Sequence, residues 1–318
     1  MYILERVGVA ALVLIGVSGA VVLLFPKEVH DAVISIELQK PPKSVKILFV
    51  GDMFFDRSVR TVADEKGMDF IFSCSAYRYA QFDAVVGNLE GPITNRKSVS
   101  VGSIPGSPEN YVFTFPTSTA ETLAKHNIKV VSLGNNHIGN MGAEGILSTR
   151  SHLRRAGVGY FGGLEGDEPV HFEKIGDIDF AFVSYNEFGG DSPAIVAEKI
   201  AAEKRDGKTV IVYAHWGEEY RETSEAMRSI AKIFVDAGAD LILGAHPHVV
   251  YSREDIDGVP VFFSLGNFIF DQFWDERVSH GLAVEAEFTD GEIFFTEHQT
   301  TMHRDRRVCI GDDEPSEQ

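Results

Sequence analysis

The apolar residues of this chain fall into short runs, and five of these runs end in polar side chains. The runs are ILFVG, AVVG, VVSLG, VIVYA and LILGA. Apolar runs of this length, bounded by glycine or polar residues, predict buried strands. The polar residues at or just after their ends are Asp52, Glu90, Asn136, His137, His215, His246 and His248. Because open α/β sheets place ligand sites at the carboxyl ends of their strands, we expect these side chains to share one sheet edge.

Amphipathic stretches lie between the early apolar runs, whereas paired strand patterns dominate the end of the chain. The stretches predict helices at residues 58–66, 142–156, 195–205 and 225–237. HFEKIG with DIDFAFVSY indicates one hairpin, and GLAVEAEF with GEIFFTEH indicates another, joined by a glycine-containing turn. This order favours the α/β class, with a mixed sheet or two packed sheets and helices outside, over a purely parallel sheet.

The first 26 residues differ from the rest of the chain. Residues 7–25 carry no charge, and a helix of that length spans about 28 Å, close to the roughly 30 Å hydrocarbon core of a bilayer. The run ends in Leu23, Leu24 and Phe25 rather than in small residues, which favours an uncleaved signal anchor over a cleaved signal peptide. We therefore expect a single-pass protein of the cell membrane whose domain lies outside the cytoplasm.

The composition of the chain predicts the boundaries of the linker, the globular domain and the C-terminal tail. Residues 27–44 contain Pro41 and Pro42 and are predicted to be a linker. The globular domain is expected at residues 45–308, and its serine-rich, glycine-rich and proline-rich segment 96–110 is expected to be a loop that contacts ligand. Residues 309–318 form an acidic tail that is predicted to be disordered.

Charge excludes some classes of partner. The chain has 47 acidic and 29 basic residues, a formal net charge of −18. Nucleic acid is not an expected partner, because phosphate contacts need clustered lysine and arginine. Only two cysteines are present, Cys74 and Cys309; they can form one bridge or remain two thiols, and both alternatives stay open.

The polar residues at the strand ends have the chemistry of metal ligands. In Gly-Ala-His-Pro-His, Pro247 stiffens a turn between His246 and His248, so both rings can address one small volume. A lone histidine is more often a core or surface residue, but here three histidines follow two apolar runs. Carboxylate, amide and imidazole groups together suit hard and borderline divalent ions. Asp52 has a second interpretation as a helix cap.

Three residues suggest how a bound metal and its substrate would be handled: His137, Glu90 and Arg57. His137 follows Gly-Asn-Asn, and an imidazole with an ordinary pKa near 6.5 suits proton donation to a leaving group. Metal coordination lowers the pKa of water from 15.7 toward about 7, and Glu90 is the candidate carboxylate between two ions. Arg57 can hold an anionic substrate group or form a surface salt bridge. The pattern predicts a metal-dependent hydrolytic site.

Ordered motifs from residue 47 to about 288 resemble the calcineurin-like metallophosphoesterase superfamily, and within it the CapA-like poly-γ-glutamate capsule biosynthesis proteins. The motifs are GDMFFDR, NLEGPIT, NNHIGNMGAEGI, AGVGYFGG, HWGEEY, DAGADLILGAHPHVV and SLGNFIFD. The resemblance implies a four-layer αββα sandwich of two mixed β-sheets flanked by helices, with metals where the strands end.

The resemblance also implies roles for the candidate residues. Asp52 and His248 would serve one metal, with Glu90 between the metals and His137 as the acid. The second metal would be held by Asn136, His215 and His246. Asn267 and Asp271 lie in the last motif and are expected to neighbour the site.

The chain departs from the superfamily pattern at several positions. Phe54 stands where an Asp-x-His histidine ligand is common, Glu90 replaces a bridging aspartate, and Ile138 stands where the catalytic histidine often has an acidic partner. Asn140 occupies a position that is often aspartate in the CapA-like branch. The departures predict a weaker first metal site, or a single metal.

We therefore expect a membrane-anchored protein of capsule or poly-γ-glutamate biosynthesis or export. Its hydrolase-type site would use one or two divalent ions of manganese, zinc or iron. The alternative is a non-catalytic metal-binding subunit that binds polymer or a membrane synthase partner. Poly-γ-glutamate is an anion, so a chain of net charge −18 repels it at long range.

Overall fold

The computed structural model of the protein describes residues 20–21, 36–37, 44–164, 166–289 and 291–315. The chain divides into two units, Met1–Lys43 and Ser44–Gln318. In the first unit, β1 (Ala20–Val21) pairs antiparallel with β2 (Ile36–Glu37). The rest of the expected anchor and linker lies outside the described residues. Among the residues that are described, no helix is both long enough and apolar enough to span a membrane.

In the second unit, strands and helices alternate as far as the middle of the chain. The first of these elements are β3 (Val45–Met53), α1 (Arg57–Lys66), α2 (Asp69–Phe72), α3 (Ala76–Tyr79), β4 (Ala84–Leu89), α4 (Thr119–Lys125), β5 (Ile128–Ser132), α5 (Gly142–Ala156) and β6 (Gly159–Phe161). Then follow β7 (Val170–Ile175), β8 (Ile178–Asn186), α6 (Pro193–Arg205), β9 (Thr209–His215), α7 (Glu225–Ala237) and β10 (Leu241–Ala245).

Strands dominate the rest of the chain. They are β11 (Arg253–Ile256), β12 (Val259–Phe262), β13 (Asn267–Ile269), β14 (His280–Phe288), β15 (Ile293–Met302) and β16 (Val308–Ile310), with α8 (Glu276–Ser279) before β14. Two 3₁₀ turns, Pro108–Tyr111 and Glu187–Gly189, lie in the loops.

The strands form two mixed sheets. The eight-stranded sheet has the order β16-β15-β14-β3-β4-β5-β6, and β13 also pairs with β3. The six-stranded sheet has the order β11-β12-β10-β9-β8-β7. Strands β3, β4, β5 and β6 are mutually parallel, as are β8, β9, β10 and β12. Parallel neighbours bring their carboxyl ends to the same edge of a sheet.

The side chains of β3 show why two sheets pack face to face. Ile47 and Phe49 belong to a cluster that joins both sheets, whereas Leu48 and Val50 belong to a cluster that includes residues of α1 to α5. A third cluster joins the six-stranded sheet to α6 and α7. A strand that is apolar on alternate positions of both faces must be covered on both sides. The result is the expected four-layer sandwich, and the fold class is confirmed.

Local signals account for the helices that the sequence predicted. Helices α5 and α7 are followed by the C-cap residues Gly157 and Gly238, whose backbone is in the left-handed αL conformation. Glycine adopts this conformation readily because it has no side chain to clash. The Ser224 side chain caps α7 by accepting a hydrogen bond from Met227 N at 3.2 Å. Helices α2 and α3 have four residues each, which is too short to produce a periodic pattern in the sequence.

The prediction of a disordered tail is wrong for residues 309–313. Cys309 forms a disulfide with Cys74 across a sequence separation of 235 residues, which selects one of the two alternatives left open for the cysteines. Four hydrogen bonds hold Asp313: its carboxylate accepts two from Arg78 at 2.7 and 3.0 Å, one from Ser75 at 2.7 Å and one from Tyr77 at 2.8 Å. These long-range contacts tie the tail to α3, and the composition of the tail gives no sign of them.

We expect Asp313→Asn to lower the free energy of unfolding at pH 7 by about 1–3 kcal/mol, because a charge-assisted network loses its acceptor. Burial opposes ionisation of Asp313, but Arg78, Ser75 and Tyr77 hold its pKa below the usual value. A carboxyl whose pKa falls on folding stabilises the protein above its unfolded pKa, and this contribution is lost as pH falls through the folded pKa.

Urea unfolding at pH 7 and pH 3 tests this expectation. The difference between wild type and Asp313→Asn should shrink at the lower pH. Asp312→Asn is the matched control, since Asp312 is exposed. Equal losses of stability in the two variants at pH 7 would contradict the account.

Candidate metal centre

The carboxyl ends of four strands deliver the ligand atoms of two overlapping groups. Asp52 lies near the end of β3, Glu90 directly follows β4, His215 ends β9, and His246 directly follows β10. The groups are Asp52, Glu90 and His248, and Glu90, His215 and His246; within each, the ligand atoms lie within 4.8 Å of one another. The first sheet therefore supplies carboxylates and the second supplies imidazoles. Each group can hold a divalent metal ion.

Glu90 is the residue that the two groups share. Its side chain is fully buried, and within the described part of the chain neither carboxylate oxygen has a hydrogen-bond partner. Burial raises the pKa of Glu90 well above its usual value, and the neighbouring Asp52 carboxylate raises it further. A buried carboxylate without partners is costly unless a proton or a cation neutralises it. The donor set therefore fits a divalent cation.

Asp52 has the opposite environment. It accepts hydrogen bonds from Asn88 Nδ2 at 2.8 Å and from the His246 main-chain N–H at 3.2 Å. Burial opposes its ionisation, but the hydrogen bonds from His248 and Asn88 lower the pKa of Asp52 below the usual range. Asn88 lies in the Gly-Asn-Leu-Glu motif but was not predicted as a site residue; its buried amide holds Asp52 in place.

The backbone of the His-Pro-His turn is strained. His246 and His248 have φ angles of 95° and 60°, in the left-handed region that residues with a side chain seldom adopt. Such conformations cost about 1–3 kcal/mol each and persist only where the surrounding structure holds them. The turn is held by a hydrogen bond from Tyr220 N to Pro247 O at 2.9 Å. This backbone conformation directs the imidazole rings of His246 and His248 toward the buried carboxylates.

Asn267 sets the orientation of His248. Its Oδ1 lies 2.9 Å from His248 Nδ1, while its Nδ2 donates to Val278 O at 2.8 Å and to Gln272 Oε1 at 3.0 Å. Because Oδ1 can only accept, Nδ1 carries the proton, and Nε2 is the ring nitrogen that lies 3.8 Å from Glu90 Oε1. Metal-binding histidines are commonly oriented in this way. Asn267, predicted as a site neighbour, lies behind this candidate ligand.

His215 and His246 are held as neutral imidazoles. Burial lowers the pKa of His246 to about 3 and that of His215 well below its usual value, and neighbouring histidines add to both shifts. The neutral form is the one that binds metal. His246 Nδ1 is buried and has no hydrogen-bond partner in the described structure.

Asn136 lies beside the second group. Its Oδ1 is 2.9 Å from His215 Nε2. Atoms this close can both contact one ion, since metal–ligand distances near 2.1 Å place neighbouring ligand atoms about 3 Å apart. Metal binding by Asn136, the role that the resemblance implied, stays a prediction.

His137 lies beside the centre, but with a different proton affinity from the one expected. Burial lowers its pKa to about 4, although the hydrogen bond to Asn140 opposes the shift. Nδ1 of His137 is 3.2 Å from Asn140 Oδ1, which also accepts from Phe113 N at 2.8 Å. The imidazole is therefore neutral at pH 7, with its pKa below the ordinary value near 6.5.

Asn135 fixes the loop that carries His137. Its Oδ1 accepts from His137 N at 3.1 Å and Ile138 N at 2.8 Å, and its Nδ2 donates to Asn88 Oδ1 at 3.1 Å. No role was predicted for Asn135 from the sequence. The signal that could have identified it is the Asn-Asn pair before the histidine, of which only one amide was assigned a role.

Phe54 and Arg57 explain the departure from the Asp-x-His pattern. The Phe54 ring is fully buried and stacks on Phe270, with centroids 4.5 Å apart. The Arg57 guanidinium lies 4.7 Å from the centre of the Phe54 ring and donates to Asp271 Oδ1 at 2.6 Å. An aromatic and ionic cluster therefore occupies the space beside the first group. Arg57 and Asp271 border a cavity of about 420 Å³, which loop residues such as Ser103 also line.

A comparison with protein families decides the relationship that the motifs suggested. A model described as "Bacterial capsule synthesis protein PGA_cap" matches residues 46–272. The chain belongs to this family. All of the candidate site residues, from Asp52 to Asp271, lie within the matched range, so the family assignment and the geometry concern the same part of this capsule synthesis family member.

Two curated relatives carry related names. The chain is 30% identical over 246 residues to the "PGA biosynthesis protein CapA" of Bacillus subtilis (strain 168), covering 71% of this chain and 63% of that protein. It is 27% identical over 260 residues to the "Capsule biosynthesis protein CapA" of Bacillus anthracis, covering 73% and 61%. The chain thus spans less than two thirds of the length of these relatives.

A solved structure has the same fold. It is a crystal structure of a hypothetical protein from Thermus thermophilus, with a TM-score of 0.52 and 16% identity. The match covers 80% of this chain and 98% of that chain. At this level of identity the likeness concerns the fold alone.

We expect the full-length protein, purified without chelator, to contain a divalent metal that Glu90→Gln loses. The substitution removes the charge of the carboxylate that both groups share. In the wild type, manganese or zinc at 100 times its dissociation constant should stabilise the fold by about 2.7 kcal/mol. Binding should weaken as pH falls, because protons compete for the same carboxylates and imidazoles.

Elemental analysis and thermal unfolding with and without metal provide the measurement. Glu198→Gln, an exposed position on α6, is the matched control. Wild-type metal content in Glu90→Gln would show that the centre does not depend on this residue.

Proposed function

We propose that this protein acts in the biosynthesis or export of a capsule polymer of the poly-γ-glutamate type, through a metal-dependent hydrolase-type site. Membership of the capsule synthesis family supports the biological role. The names of the two curated relatives support it as well, for the part of their length that this chain spans. The observation that carries the chemistry is the buried, unpartnered Glu90 carboxylate shared by two ligand groups.

In this proposal, Asp52, Glu90 and His248 would hold one ion. Glu90, His215 and His246 would hold a second ion, with Asn136 beside them. A divalent cation supplies Lewis-acid chemistry when bound, because it polarises a substrate oxygen and lowers the pKa of water. The hydrogen bonds from Asn88 to Asp52 and from His248 to Asn267 orient the side chains for that task.

His137 is the proposed proton-handling residue. Asn140 keeps the proton on Nδ1, which leaves Nε2 as the ring nitrogen that can accept a proton. An anionic group bound nearby raises the pKa of an imidazole, since it stabilises the charged form. Proton transfer at Nε2 therefore depends on the substrate charge. Asn140 is neutral, so it adds no charge of its own to this effect.

A second candidate function is a non-catalytic metal-binding subunit that binds polymer or a membrane synthase partner. The observation that favours it is the packing of Phe54 in the aromatic cluster, at a position where the superfamily often has a metal ligand. The low pKa of His137, about 4 because of burial, also favours it. In such a protein the metal would order the site without turnover.

Substitution of His137 discriminates between the two functions. With manganese or zinc, the full-length protein should shorten poly-γ-glutamate or release phosphate from a phosphoester. His137→Ala should lower kcat by about 10²–10⁴ while metal content stays unchanged, because the proton-transfer group is lost and the ligands remain.

His171→Ala, on β7 in the second sheet, is the matched control. Absence of turnover on both substrate classes, with metal verified in the protein, would exclude the hydrolase. Equal capsule production in cells carrying wild type or His137→Ala would then favour the accessory subunit.

We also propose that the uncharged residues 7–25 anchor the protein in the cell membrane, with the domain outside the cytoplasm. The Cys74–Cys309 disulfide supports an oxidising compartment. The full-length protein should fractionate with membranes and resist extraction by salt, whereas a chain lacking residues 1–26 should not. Recovery of the full-length protein in the soluble fraction would refute the anchor.

A further inference from the structure

The charge of this chain makes recognition of an anionic polymer a physical problem. The formal net charge is −18, and the carboxylates of poly-γ-glutamate have the same sign. Screening limits the repulsion to about 8–10 Å at physiological salt, but it creates no attraction. Binding must therefore come from short-range contacts near the candidate metal centre.

Two cavities lie beside that centre and share Tyr220 as a wall residue. One has a volume of about 420 Å³ and is bordered by Arg57 and Trp274. The other has a volume of about 590 Å³ and is bordered by apolar side chains such as Leu282. The Tyr220 ring lies 5.9 Å from the His248 ring. A chain-like ligand that fills both cavities would pass Tyr220 next to the candidate centre.

Neither cavity has an unpaired arginine among the residues that line it. Arg57 pairs with Asp271 at 2.6 Å, Arg277 with Asp275 at 2.6 Å, and Arg221 lies 4.0 Å from Glu218. Three arginines and three acids line the two cavities, so their formal charges cancel: Arg57, Arg221, Arg277, Glu222, Asp271 and Glu276. The cavities therefore offer no excess positive charge to a polyanion.

What the cavities share is Tyr220, which forms an aromatic pair with Trp274 of the smaller cavity. Trp274 is 61% exposed, and its ring meets the Tyr220 ring edge-on with centroids 4.7 Å apart. The Tyr220 hydroxyl accepts from Gln272 Nε2 at 2.9 Å, and Gln272 Oε1 accepts from Asn267 Nδ2 at 3.0 Å. Asn267 in turn orients His248. This hydrogen-bonded chain ties the aromatic pair to a candidate metal ligand.

We propose that the Tyr220–Trp274 pair binds the uncharged main chain of an amide-linked polymer, so that recognition depends on apolar contact rather than on charge attraction. This inference rests on the proposed function and names how its substrate is held. In a γ-linked glutamate chain, the main chain consists of amides and methylene pairs, and the carboxylates project to the sides. Such segments can pack on aromatic rings while the carboxylates stay in water. Rigid, exposed aromatic rings lose little entropy on binding.

Tryptophan fluorescence offers a direct test, because the chain has two tryptophans with opposite exposure. Trp216 is fully buried and Trp274 is 61% exposed, so acrylamide quenching reports mainly on Trp274. Poly-γ-glutamate should reduce quenching of the full-length protein in detergent. The dissociation constant should stay constant or fall between about 50 and about 500 mM NaCl, since salt weakens only the repulsion.

Calorimetry on a variant completes the test. Trp274→Ala should weaken polymer binding about tenfold or more, as truncation of an aromatic anchor does. Phe294→Ala is the matched control: its ring is 55% exposed, and Phe294 pairs with Glu287, far along β14 from the residues that line the cavity. This variant should bind like wild type.

The outcomes separate this inference from the proposed function. Affinity that falls steeply with salt, or wild-type affinity in Trp274→Ala, would overturn the aromatic recognition and leave the proposed function standing. No polymer binding at either salt concentration would overturn both the inference and the polymer part of the proposed function. The metal content and the effect of Glu90→Gln are independent of either result.

Discussion

The site depends on two carboxylates buried at the ends of adjacent parallel strands. The register of β3 and β4 places Asp52 opposite Asn88, two residues before Glu90. Both carboxylates are fully buried. Two negative charges close together in an apolar environment must be neutralised by protons or cations, or stabilised by hydrogen bonds. Asp52 receives hydrogen bonds, whereas within the described structure Glu90 receives none. This difference makes Glu90 the point at which a cation is most needed.

The second sheet supplies the imidazole ligands, because the sandwich aligns the strand ends of the second sheet with those of the first. The Tyr213 hydroxyl, from β9, contacts the carbonyl oxygens of Val50 and Val86 at 2.9 and 3.1 Å. These contacts link the sheets a short distance before the carboxylates. His215 lies two residues after Tyr213 on the same face of β9, so the contacts that position Tyr213 also position His215. The acidic and basic halves of the centre therefore depend on sheet packing as much as on their own strands.

Much of the site could be predicted from local patterns, since each candidate ligand follows an apolar run and parallel strands end at one edge. The supporting residues could not be predicted in this way. Asn88 and Asn267 act through contacts with residues 36 and 19 positions away, which no local pattern contains. The same holds for His137, whose pKa near 4 results from burial that arises only when the chain is folded. Asp313 is acidic and polar in sequence, yet long-range hydrogen bonds order it.

The sequence by itself determined the α/β class and the residue types that meet at the strand ends, whereas the four-layer arrangement was implied by the resemblance of its motifs to a known family. Periodicity and chemistry are local properties, so they can be read from neighbouring residues. The tertiary structure decided which oxygen lacks a partner, that Phe54 packs in a core, and that Tyr220 and Trp274 form one exposed pair beside His248. These features depend on distances between residues far apart in the chain, and only packing sets those distances.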